Sequence, residues 1–87
     1  MERYIIRATL ENGTELYLAE HNVLLWTLDI DNEHILFCTK RQANKFKNNF
    51  SPDDRFYSSF AGKAIKNIDI IKVNDTYIVR TYIVQQP

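Results

Sequence analysis

Cysteine, glycine and proline are scarce in this chain of 87 residues, and its charges cancel. A single cysteine, Cys38, can close no internal disulfide, which removes the small secreted domains held by cross-links. With Gly13 and Gly62 as the only glycines, no phosphate-cradling Gly-rich loop can be built. The longest uninterrupted apolar runs, Val23 to Trp26 and Ile35 to Cys38, span four residues each. A membrane-crossing helix needs about 20. The opening MERYIIRATL mixes charges with its apolar residues and so lacks the apolar core of a signal peptide. These shortages point to a soluble domain of the cytoplasm.

What is present is an ordinary globular composition, with 45% apolar and 25% charged residues, in a length that suits a single domain over residues 1–87. Eleven basic residues face eleven acidic ones, so net charge argues for no polyanionic partner. The charges are nevertheless segregated. Residues 1–39 carry Arg3 and Arg7 against Glu2, Glu11, Glu15, Glu20, Asp29, Asp31 and Glu33, a net of −5. Residues 40–66 carry Lys40, Arg41, Lys45, Lys47, Arg55, Lys63 and Lys66 against Asp53 and Asp54, a net of +5.

Tyr4, Ile6, Ala8 and Leu10 alternate with Ile5, Arg7 and Thr9, the period of two that marks a strand. Asn12-Gly13 tolerates the positive φ of a hairpin turn, so Thr14 to Ala19 should return antiparallel with Leu16 and Leu18 inward and Tyr17 outward. Val23 to Ile30 resumes the alternation with Leu24, Trp26, Leu28 and Ile30 on one face. Glu33 to Cys38 follows a polar turn and reads as a fourth strand paired with the third. Trp26, the largest apolar side chain, reads as the core anchor rather than a ligand-stacking ring.

The period changes at Thr39. Its hydroxyl can cap a helix whose third residue, Gln42, completes a capping box, and Ala43, Phe46 and Phe50 supply a narrow apolar stripe. Ser51-Pro52-Asp53-Asp54 is a second helix start, with Phe56, Phe60 and Ala64 spaced by four and Gly62 as its limit. Either a second helix from Pro52 to about Phe60 or a long loop fits residues 51–64. Ile65 to Val73, a turn at Asn74-Asp75, and Thr76 to Val84 then form a final hairpin. The expected architecture is α+β, in the order ββββ-α(α)-ββ, with a mainly antiparallel sheet of five or six strands packed on one or two short helices.

Catalytic chemistry finds little purchase. His34 and Cys38, the one pair that suggests a thiol nucleophile, would stand about 13 Å apart on a strand, at roughly 3.3 Å per residue. Asp29, Asp31 and Glu33, with His21 near, lack the glycine that turns a calcium loop, and read as a solvated turn. No catalytic, cofactor or metal residues are assigned, and the chain reads as no enzyme. The expected function is protein binding, by two patches of opposite sign that steer a partner. Lys40, Arg41, Lys45, Lys47 and Arg55, with Tyr57, give the basic patch, and Glu11, Glu15, Glu20, Asp29, Asp31 and Glu33 the acidic one. Ile5, Tyr17, Leu25, Tyr77 and Tyr82 are candidates for an exposed apolar centre. No proline interrupts the strand runs to blunt a sheet edge, so a homodimer through such an edge is physically available. The alternative is a nucleic-acid site in residues 40–66, where Phe50, Phe56, Tyr57 and Phe60 lie among the cations as they do in single-strand binders.

In the Tyr4-Ile5-Ile6-Arg7 strand, Asn12-Gly13 before Leu16-Tyr17-Leu18, the central Trp26, and Ile35-Leu36-Phe37-Cys38-Thr39 leading into Ala43 and Phe46, the chain resembles the very small uncharacterised accessory proteins of phages and prophages in low-GC Gram-positive bacteria. The resemblance covers about half of the chain and places no functional residue. It implies a stoichiometric inhibitor or modulator that covers a host or defence protein in the host cytoplasm.

Overall fold

The computed structural model describes residues 3–51 and 58–73. Among these residues five strands and one helix follow in the order β1 (Arg3–Leu10), β2 (Glu15–His21), β3 (Val23–Thr27), α1 (Lys40–Asn49), β4 (Ser59–Phe60) and β5 (Lys63–Val73). The strands form one antiparallel sheet in the order β3-β2-β1-β5-β4, and α1 packs against it, giving the α+β class expected. Thr76 to Val84 and residues 52–57, read as part of either a second helix or a long loop, lie outside the described residues.

The first hairpin turns at Asn12-Gly13, where Gly13 has φ +86° and its N–H donates to the Leu10 carbonyl at 2.9 Å. Its two strands pair only beside the turn, Arg7 to Thr9 with Glu15 to Tyr17. Beyond Arg7 they part, and the Glu33 to Cys38 run occupies the opening. The Leu36 N–H donates to Leu18 O at 3.0 Å and the Glu20 N–H to His34 O at 2.9 Å. At the other end Tyr4 and Cys38 exchange both backbone hydrogen bonds, each at 2.9 Å. This corrects the expected pairing of Glu33 to Cys38 with the third strand. The free edges of β1 and β2 offered this apolar run two sets of backbone partners, and among the described residues β3 is paired with β2 alone.

Alternation sorts the side chains onto two faces. One carries Tyr4, Ile6, Ala8, Leu10, Leu16, Leu18, Trp26 and Ile68, closed by Ala43 with Phe46 and Phe50 of the α1 segment. The other carries Ile5 and Val73, closed by Ile35 together with Tyr17, Ile30 and Ile71. Ile5, expected as a surface candidate, is therefore 1% exposed, because the loop after β3 folds back and covers the second face. The same fold-back ends β3 at Thr27 and leaves Leu28, expected inward, 58% exposed.

The Thr39 capping box forms as the sequence predicts. The Gln42 N–H donates to Thr39 Oγ1 at 3.2 Å and the Thr39 N–H to Gln42 Oε1 at 2.9 Å. After α1, Ser59–Phe60 is a strand, where either a helix to about Phe60 or a long loop was expected. Ala61 and Gly62 have φ +52° and +79°, both positive as a type I′ hairpin turn requires, so Phe60 faces Lys63 across a two-residue loop. Phe60 still packs on the main core, which fixes where this short hairpin lies. The long strand β5 then runs antiparallel to the whole of β1, from Arg3 opposite Val73 to Leu10 opposite Ile65, with an irregularity between Thr9 and Leu10.

Candidate functional site

The structure separates the two charged patches by the thickness of the sheet. Helix α1, with Lys40, Arg41, Lys45 and Lys47 all exposed, lies over the main core face. The loop with Asp29, Asp31 and Glu33 lies over the other face, through Ile30 and Ile35.

On α1 only Ala43 is fully buried and Phe46 half-buried, so the apolar stripe is as narrow as its spacing predicts. The remaining positions form an open surface lined by Lys40, Arg41, Asn44, Lys45, Asn48 and Asn49. None of the four cations is ion-paired among the described residues. Lys47 in the last turn suits the helix dipole, but the other three cations work against the helix. Lys40 and Arg41 stand in the first turn, which holds no acid, at the positive end of the helix dipole. Arg41 and Lys45 are a like-charged pair at i, i+4, which costs about 0.2 to 0.5 kcal/mol. Of the rings read as a single-strand stacking platform, Phe50 and Phe60 are half-buried and pack against the core, as does Phe46. Arg55, Tyr57 and Phe56 lie outside the described residues.

The acidic loop is organised by its own backbone. Thr27 Oγ1 accepts from the Asp29 N–H at 3.2 Å, Asp29 Oδ1 from the Asp31 N–H at 2.9 Å, and Asn32 Oδ1 from the His34 N–H at 2.8 Å. These side-chain turns set a shallow hollow lined by Asp29, Asp31, Asn32, Glu33 and His34. The sequence placed His21 near this loop, and its ring meets His34 with centroids 4.2 Å apart, tilted by 50°. Glu33 Oε1 is 3.4 Å from His34 Nε2. Among the described residues no three His, Cys, Asp and Glu side chains gather so as to hold a metal ion. Burial pushes the Cys38 thiol above its ordinary pKa, and its Sγ lies 3.5 Å from the Tyr4 carbonyl oxygen. It is a packed thiol, set in the strand opening rather than beside a base.

Several features escaped the sequence reading. Arg7 crosses the second face to Glu15 at 2.8 Å and Asp69 at 3.4 Å, a network that needs the pairing of β1 with β5 to be visible. The Arg3 guanidinium stands 5.8 Å from the centre of the Phe37 ring. Tyr17, a partner-binding candidate, is half-buried against the second core. Among the described residues strand β3 forms one edge of the sheet, and Val23 at its start and Leu28 just beyond its end are each 58% exposed.

The chain matches no family model, no curated protein and no solved structure. Among the described residues, no helix is long and apolar enough to cross a membrane.

Proposed function

We propose that the protein is a non-catalytic binding module that engages another protein through the edge of β3, and that a second copy of the chain can use the same edge. The observation that carries the reading is the state of that edge. Among the described residues Val23–Thr27 pairs with β2 on one side only, and its sequence VLLWT contains no lysine, proline or bulge of the kind that blunts natural edges. An added strand would gain backbone hydrogen bonds there and apolar contact with Val23 and Leu28. Asp29, Asp31 and Glu33 follow the end of β3 and favour a partner strand with cations at that end. The likeness to phage accessory proteins supplies the class of partner: a host or defence protein, covered stoichiometrically in the cytoplasm.

Sedimentation velocity from about 1 to 200 μM tests the edge directly. We expect concentration-dependent dimers that Val23→Lys with Leu28→Lys abolishes, while far-UV circular dichroism is unchanged because both side chains are exposed. Affinity capture from host lysate should lose the same partners in the double variant. A monomer at every concentration, together with capture indifferent to the double variant, would remove this reading.

A further inference from the structure

We propose that the outward face of α1 binds the phosphate backbone of a nucleic-acid duplex. This surface is distinct from the β3 edge and independent of what the edge binds. The helix carries four cations and no acid, and their side chains are exposed without ion-pair partners among the described residues. Two of them sit at the end of the helix where its own dipole repels them. Local rules are broken in this way chiefly where a surface serves a ligand, and an anion lying across the first turn relieves both the dipole conflict and the Arg41–Lys45 repulsion.

The shape of the surface selects a duplex. Arg41, Asn44, Lys45 and Asn48 recur at i, i+3, i+4 and i+7, one face of a helix, and Lys40 to Lys47 span about 10 Å of its axis. A helix about 10 to 12 Å across matches a major groove about 12 Å wide, whose walls are phosphates and whose floor accepts asparagine amides. A single strand needs exposed rings, and among the described residues of the 40–66 segment the rings of Phe46, Phe50 and Phe60 are half-buried against the core. The acidic loop lies over the opposite face of the sheet, so it does not oppose a polyanion seated on α1.

Fluorescence anisotropy with a labelled 20-base-pair DNA duplex, titrated with the full chain at several salt concentrations, tests the proposal. Four phosphate contacts predict affinity falling about a hundredfold between 50 and 200 mM salt, a log–log slope of about −3.6. Arg41→Gln with Lys45→Gln should halve that slope and leave the far-UV spectrum intact, since neither side chain is buried. Lys40→Gln with Lys47→Gln should do the same and serves as the second variant if the first loses its fold. No binding at about 100 μM protein and 50 mM salt would overturn the proposal, as would a slope indifferent to both double variants. Tighter binding to the matching single strand, or to polyglutamate, would also overturn it, the latter pointing to an acidic protein surface instead.

Discussion

Trp26 meets the Phe46 ring edge-on at a centroid distance of 6.1 Å and joins β3 to α1 across the main core. At 7% exposure the ring is packed on nearly all sides, so Trp26→Ala should destabilise the domain by about 3 to 5 kcal/mol in urea unfolding. A loss below about 1 kcal/mol would show that the ring contributes little packing. Cys38 gives a pH-dependent counterpart. Its thiol is held neutral by burial, which raises the folded pKa above the unfolded one, so its contribution is complete below the unfolded value and is lost as pH rises through the folded one. Native Cys38 should therefore react with iodoacetamide more slowly than the urea-unfolded chain at the same alkaline pH. Equal rates would contradict the burial.

At the scale of elements, α1 and the first turn were legible because their signals are local. A cap, a partner three residues on and an apolar recurrence at three and four lie within a dozen residues, and Asn12-Gly13 announces its own backbone geometry. Thr39→Ala should accordingly cost about 1 kcal/mol in thermal or urea unfolding. The second hairpin was hidden because its first turn residue is Ala61, whose φ of +52° suits asparagine or glycine better. Ala61→Asn should stabilise the domain by roughly 0.5 to 1 kcal/mol, and a loss of stability would place the turn in another conformation. The placement of Glu33 to Cys38 was hidden for a different reason. Its alternation shows that it is strand-like, but its partners Leu18, Glu20 and Tyr4 are chosen by the parting of β1 from β2, which no local signal encodes. The site divides in the same way. The helix cations could be placed on one face by periodicity, whereas Arg7, Glu15 and Asp69 meet through a strand pairing 62 residues apart in sequence for Arg7 and Asp69.

At the scale of the described molecule, the sheet keeps the α1 cations over one face and the Asp29, Asp31 and Glu33 loop over the other. The opening between β1 and β2 has a further consequence, for the time the chain takes to fold. A hairpin closed by Asn12-Gly13 would ordinarily zip along its length within microseconds, but here its outer half has no mutual pairing to complete. Its missing backbone partners arrive only when residues 34–38 enter from one side, and β1 gains its longest ladder only when β5 joins from the other. The chain must therefore close long loops before most of its sheet can form, which places its refolding on the order of milliseconds to seconds. Stopped-flow refolding followed by the single tryptophan reads that rate. Replacements in β5, such as Ile68→Val, should slow the folding limb if β1 and β5 meet in the barrier, whereas changes confined to the Asn12-Gly13 turn should act mainly on unfolding.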